Sequence, residues 1–456
     1  MSTKLTEARK AAGLTQEDLA ERVHVSKQYI SNLESGYRAI NRIAFKTGVE
    51  ISDALSVEHP RDLLEDDPVT ESRIKTMDPL HEPQRLTRSR REEFRRMASE
   101  SREARRKALA GEGPKPLHPV NIPEFDPMTL MEQRPYCGAD AISLFSGGGG
   151  LDLGFDLAGV GHIGSWEILE DAAATLKDNR PLWDVYGGEE GDVRGVDWRT
   201  YRGNVGIVHG GPPCQPFSSA GKQRGASDPR DMWPEFVRCV LECRPEVFVA
   251  ENVAALTSAR FAEYVEETIM APLRGHYRIH VVEMQAYEYG VPQVRKRVLF
   301  FGFRTKSLEN AWRAPEPTHR RPGSKEKESL PETMGVRQAL GLPDIGYDDL
   351  CPTLRSGLSG PRHTTSILSS VSAQRKYTDL GLWPNGVAAD REAAHRFVTK
   401  NGTFRLSVPD VQLIQGFPET WRFHGATYMK LGQIGNSVAP PVAYAAASSV
   451  ARLFSK

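Results

Sequence analysis

Several absences narrow the field before any motif is read. The five cysteines (Cys137, Cys214, Cys239, Cys243 and Cys351) include no CxxC pair, which argues against a disulfide scaffold and a structural zinc site. No His/Asp/Glu cluster stands out along the chain, so no metal is expected. There is no run of about 18 apolar residues, so no membrane-spanning helix and no membrane partner are expected. The opening MSTKLTEARK lacks the apolar run of a secretory signal, which points to a cytoplasmic, nucleoid-associated location. Net charge is also missing: 59 Lys and Arg balance 59 Asp and Glu. Taken whole, that balance argues against nucleic acid. Taken by segment it does not, because residues 85–107 are net +6, 141–304 net −5 and 305–456 net +6.

What is present divides the 456 residues into parts. Residues 1–60 read as a compact all-helical unit. Leu5, Ala8 and Ala12 start an apolar stripe that Gly13 stops. Thr15 and Asp18 have the spacing of an N-cap and its reciprocal acid, and Leu19, Ala20 and Val23 continue the stripe. Ser26 caps a third helix, with Ile30 and Leu33 facing inward and Gly36 ending it. Two short helices joined by a tight turn, the second rich in polar side chains, form the helix-turn-helix pattern. GLTQEDLAERVHVSKQYISNLESG resembles the repressor-like helix-turn-helix family. That resemblance implies DNA contacts by Gln16, Lys27, Gln28, Tyr29 and Asn32, and dimerisation on operator DNA.

Residues 61–138 read as a charged, Pro-rich linker. A basic helix is expected within it, followed by six prolines between 111 and 135. From residue 139 strands alternate with helices: AISLF, HIGSW, VGIVHG, EVFVA and RVLFFGF are β-branched or aromatic runs separated by helical stretches. That alternation predicts an α/β fold with a doubly wound, mostly parallel sheet.

Chemistry concentrates in two places. The strand–glycine–helix unit at 142–158 suits a nucleotide-like ligand, with Glu167 positioned for ribose hydroxyls. Asp152 occupies the third glycine position of a dinucleotide fingerprint, which weakens that reading. After the strand GIVH, the run Gly210-Gly211-Pro212-Pro213-Cys214-Gln215-Pro216-Phe217-Ser218 holds a cysteine at the sheet edge where α/β sites assemble. A stiff frame there suits a nucleophile. An ordinary thiol, with a pKa of about 8.5, is only about a tenth thiolate near pH 7.5.

GPPCQPFS resembles the catalytic loop of the DNA cytosine-5 methyltransferases, and the family's other motifs follow in order over residues 140–456. The resemblance implies S-adenosyl-L-methionine as cofactor. Phe145, Ser146, Gly147, Gly149 and Leu151 match the cofactor loop, and Glu167 with Ile168 the ribose and adenine contacts. Asp192 and Val193, Pro213, and Asn436, Ser437 and Val438 complete the pocket. It implies Cys214 as nucleophile, Glu251 of ENV as the acid at the base, and Arg295 and Arg297 of the QxRxR motif holding the O2 edge. The segment before QGFP departs from the family: Ser407 and Asp410 fit, but the expected arginines are absent.

The implied architecture is a doubly wound methyltransferase domain (139–303), a target-recognition domain (304–420) and a C-terminal return (421–456), preceded by the helix-turn-helix domain. Double-stranded DNA is the expected partner, as methylation target and as operator. Gln215, Ser218, Lys222 and Arg224 near the catalytic loop, and Arg355, Arg362, His363 and Thr364 in the recognition region, are the candidate DNA contacts. Two alternatives remain open: a DNA-binding regulator with an inactive methyltransferase body, and an RNA cytosine-5 methyltransferase.

Overall fold

The computed structural model describes residues 4–34, 119–213, 231–355, 365–396 and 403–455, with isolated positions between 51 and 112. The chain forms two compact units, residues 1–98 and 99–456.

In the first unit, α1 (Lys4–Ala11), α2 (Gln16–Arg22) and α3 (Lys27–Glu34) follow the expected order. Gly13, at φ +69°, turns the chain after α1. The capping box forms as expected: Thr15 Oγ1 accepts the Asp18 amide (3.1 Å) and the Asp18 carboxylate accepts the Thr15 amide (2.8 Å). Ser26 Oγ accepts the Tyr29 amide at 3.1 Å. Leu5, Leu19, Ala20, Val23, Ile30 and Leu33 make the core, joined by Ile51 and Leu55. Each of the larger side chains contributes about 1.5–3 kcal/mol by burial. The expected end of α3 at Gly36 and most of the basic helix lie outside the described residues.

The second unit is built on β1 (Asp140–Leu144), α4 (Gly150–Leu157), β2 (Gly161–Glu167), α5 (Glu170–Asn179), β3 (Val185–Gly187), β4 (Ile207–Gly210), α6 (Trp233–Cys243), β5 (Val247–Val253), β6 (Arg278–Gln285) and β7 (Lys296–Phe303). The sheet order is β3-β2-β1-β4-β5-β7-β6. β1 to β5 are parallel, whereas β7 runs antiparallel between β5 and β6. Both faces are covered, and the period of two divides the strands between two cores. Val247 and Val249 face the same core as Phe155, Leu176 and Val442; Phe248 and Ala250 face Trp166, Trp233 and Phe236. β6 was not among the expected strands. RIHVVEMQ is an edge strand with most side chains at least partly exposed, so it lacks the apolar run that marks its neighbours.

The segment expected to recognise the target adds α7 (Val371–Asp379), β8 (Leu382–Ala388) and β9 (Phe404–Ser407), the two strands pairing in a small parallel sheet. Its apolar residues Leu354, Ile367, Tyr377, Leu382 and Leu406 continue into the main core. The chain then returns through α8 (Val408–Gln415), α9 (Thr427–Asn436) and α10 (Pro440–Ala451).

Two expectations change. Residues 119–138, read as linker, belong to the second unit: Phe125, Met131 and Cys137 are buried in it, and the Cys137 amide donates to Gly159 O at 2.8 Å. Proline discourages helix there without preventing burial. The acid of the run before QGFP, where the expected arginines are absent, does meet an arginine, from outside that run. Asp410 caps α8 through Ser407 and is met by Arg391 Nε at 2.9 Å and Asn121 Nδ2 at 3.0 Å.

Candidate active site

β1 leads outward to β2 and β3, and the chain then crosses back to β4 and β5. The crevice beyond β1 and β4 is therefore the switch point at which α/β sheets collect ligands. A cavity of about 510 Å³ opens there. Phe145, Ser146, Gly147 and Leu151 line it from the glycine loop and α4, and Glu167 and Ile168 from the end of β2. Asp192, Val193 and Arg194, the loop at 211–213, Glu251, Arg297, and Asn436, Ser437 and Val438 close it. Residues expected at the cofactor and at the base thus share one space.

At the cofactor end Glu167 is buried, and both its oxygens accept backbone amides, from Gly147 and from Leu169, each at 2.7 Å. Burial pushes its carboxyl above the ordinary value, and the two amides pull it back. Ile168 is 54% exposed, an apolar face turned into the cavity. Asp192 accepts the amide of Arg194 at 3.1 Å and its guanidinium at 2.6–3.2 Å, which holds the carboxyl below its usual range. Phe145 adopts φ +56°, rare for an aromatic residue, at the point where the strand turns into the loop. Gly149 is a correction: it faces protein, not the cavity. A Cβ there would lie 2.6 Å from Trp421 and 2.8 Å from Leu176, and one on Gly150 only 2.3 Å from Val438 O. These glycines let the C-terminal return pack against the loop.

At the other end, Glu251 at the end of β5 pairs with Arg297 Nε at 2.7 Å. Burial pushes the Glu251 carboxyl up, opposed by Arg297 and then Arg295. The adjacent Asn252 donates Nδ2 to Pro212 O at 3.0 Å and so ties the ENV strand to the loop leading into Cys214. Sequence reasoning passed over Asn252, although its place within ENV was a signal. Arg295 does not line the cavity. It is 1% exposed and donates to Gly435 O (2.8 Å) and Ser437 O (2.7 Å), so it holds backbone, whereas Arg297 does line the cavity.

Cys214, Gln215, Ser218, Lys222, Arg224, Arg362, His363 and Thr364 lie outside the described residues, as do the side chains of Gln28 and Asn32. Arg355 donates its amide to Ile367 O at 3.0 Å. Gln16 donates to Glu34 on α3 (2.7 Å), Lys27 pairs with Glu17 (2.9 Å) on the surface, and Tyr29 is half-buried.

One cluster was not visible in the sequence, because its members come from α4, β2 and β4. Asp152, His162 and His209 bring cation-ligating atoms within 4.8 Å of one another beneath the glycine loop. Asp152 accepts from Ser165 Oγ at 3.1 Å and lies 3.4 Å from His162 Nε2. Burial drives the His209 imidazole down to about 3, so it is neutral at ordinary pH.

The family model described as C-5 cytosine-specific DNA methylase matches residues 139–452, and a helix-turn-helix model matches residues 5–59. The chain is similar to Type II methyltransferase M.NgoMIV of Neisseria gonorrhoeae, 32% identical over 322 residues, covering 69% of this chain and 98% of that protein. M.AplI of Arthrospira platensis is 31% identical, covering 68% and 84%. A crystal structure described as a DNA modification methyltransferase encoded within an E. coli prophage aligns over 68% of this chain and 98% of that one, at 25% identity and a TM-score of 0.44. With the family model spanning more than two thirds of its length, the chain belongs to the C-5 cytosine-specific DNA methylases and carries a helix-turn-helix domain ahead of the methylase region.

Proposed function

We propose that the second unit transfers a methyl group from S-adenosyl-L-methionine to carbon 5 of a cytosine flipped out of a specific duplex sequence, as the methylase of a restriction–modification system. The observation that carries this reading is the meeting of the Glu251–Arg297 pair with the loop at 211–213 and the acid-and-glycine wall of one cavity. The residues fit the methyl donor. The volume lies within the range of about 300–1,000 Å³ for cofactor pockets. Glu167 is fixed by two amides to face ribose hydroxyls, Ile168 offers an apolar face to adenine, and Asp192 an acceptor for its amino group. When bound there, the methyl donor supplies an electrophilic methyl group.

The rest falls to the chain. Cytosine carbon 5 is a poor nucleophile. The Cys214 thiolate adds to carbon 6, and electron density moves towards N3 and carbon 5. Glu251, buried and paired with Arg297, faces N3 and stabilises the charge that develops there. Arg297 faces O2 and fixes the Glu251 carboxylate. After transfer, loss of the carbon 5 proton expels Cys214 and restores the ring. The base must leave the duplex first, at about a few kcal/mol. Bisulfite sequencing of DNA from an expressing host tests the proposal and reports the target. Unmethylated DNA throughout, with the protein present and folded, defeats it.

The first unit is proposed to bind operator DNA as a dimer and regulate transcription. A promoter footprint that survives Cys214→Ala and disappears on joint substitution of Lys27 and Gln28 is the expected result. A footprint unaffected by the Lys27 and Gln28 changes refutes it.

A further inference from the structure

The segment at 292–295 does more than lead into β7. On one side it is zipped to the recognition region. Cys351 N donates to Pro292 O (2.9 Å), Val294 N to Cys351 O (2.8 Å), and Thr353 Oγ1 to Val294 O (2.6 Å). The Leu354 amide donates to Gln293 Oε1 at 3.2 Å. On the other side the same residues reach the cavity wall. Gln293 Nε2 donates to Ile414 O (3.1 Å) and to Gln415 Oε1 (3.0 Å), and Gln415 Nε2 donates to Ser437 O (2.7 Å). Arg295 bridges the same two sides, donating to Leu354 O at 3.4 Å and to Gly435 O and Ser437 O. Gln293, Gln415 and Arg295 are all within 1% of complete burial. Two residues beyond Arg295, Arg297 holds Glu251.

We propose that Gln293 and Gln415 are positioning residues that couple target recognition to the methyl-donor site: DNA bound by the recognition region that carries residues 351–354 tightens the wall at 435–437, and a bound donor reciprocally favours target DNA. The physical argument is the cost of breaking the chain of bonds. A buried amide left unpaired costs about 1–3 kcal/mol, so when Leu354 moves, Gln293 and Gln415 move with it and carry Ser437. The two glutamines use both ends of their amides in this path, one end toward recognition and one toward the cavity. Coupling between two sites is reciprocal and is commonly 5- to 150-fold in affinity. The inference rests on the methyltransferase reading above.

The test uses the full chain and S-adenosylhomocysteine, so that no turnover occurs. Its dissociation constant is measured by calorimetry alone, with a duplex carrying the sequence found methylated in the host, and with an equal-length duplex lacking it. For the wild type, the target duplex is expected to tighten binding at least about 5-fold over the non-target duplex. Gln415→Met, which removes both amide ends at similar volume, should lower that ratio, with the Arg295 bridge left in place. Thr353→Val cuts one bond on the recognition side, at a residue that does not line the cavity, and is the milder variant should Gln415→Met not fold. It is expected to lower the ratio with unchanged binding in the absence of DNA. A wild-type ratio of one, or a ratio untouched in the folded variants, overturns the proposal. Absence of any methylated cytosine in the host defeats the methyltransferase reading instead, so the two failures are distinct.

Discussion

Two glutamates, both buried, stand at opposite ends of one cavity and are held in opposite ways. Glu167 accepts neutral backbone amides from Gly147 and Leu169. Glu251 faces the guanidinium of Arg297, with Arg295 behind it. Burial raises both carboxyls, but the compensation differs. Amides fix direction and bring no counter-charge, which suits an acid that receives hydroxyl groups and takes no part in proton movement. A guanidinium brings a full charge, so the electrostatic balance at Glu251 responds to what else enters the site. On the proposed reading, one end holds and the other reacts.

Substitutions at the two ends should therefore separate binding from rate. The largest effect is expected from Cys214→Ala: methyl transfer to duplex DNA from labelled cofactor falls at least about 10³-fold, because the covalent route is gone. S-adenosylhomocysteine affinity should be unchanged. Next, Glu251→Gln should lower kcat about 10²- to 10³-fold with the KM for the methyl donor little altered. Glu167→Gln should do the reverse, raising that KM about 10- to 50-fold, the scale of a lost charge-assisted hydrogen bond, and leaving kcat within a few-fold. If Glu167→Gln struck kcat and spared KM, the division of labour drawn here would be wrong.

The smallest effect concerns the ground between the two ends. His209 on β4 is neutral in the fold, with its pKa lowered to about 3, while an unfolded histidine takes a proton near 6.5. Between those values the unfolded chain binds more protons, so stability falls as pH falls. The slope attributable to this residue approaches about 1.4 kcal/mol per pH unit. His209→Leu should flatten the acid limb of a denaturation series between about pH 6 and 4, without moving the methyl donor's KM. An unchanged acid limb would count against a buried, neutral imidazole.

Much of this was legible from the sequence, and what was legible was local. The capping box of Thr15 and Asp18, the glycine loop, and the run into Cys214 are each contained in a short stretch whose residue types state their geometry. The rest depends on partners distant in sequence. Arg295 reads as a base contact within QxRxR, yet it spends its hydrogen bonds on residues 354, 435 and 437. Arg391, from a different helix, meets Asp410 in the run before QGFP where the expected arginines are absent. Gly149 belongs to a loop that lines the cavity but is itself required by Trp421. β7 lies antiparallel between β5 and β6, an order that no apolar run encodes. The cluster of Asp152, His162 and His209 exists only once three elements are packed.

The way α4 and the C-terminal return interlock has a consequence for biosynthesis. The glycine loop and residues 167–193 are made early in the catalytic unit, whereas Asn436, Ser437 and Val438, which close the same cavity, are made near its end. A ribosome-bound chain that has already folded the first strands thus has an open, one-sided cavity. On the proposed reading, retention of the methyl donor becomes a property of the folded whole, and an arrested nascent chain lacking the last helices should leave the donor pool, and any DNA it touches, unchanged.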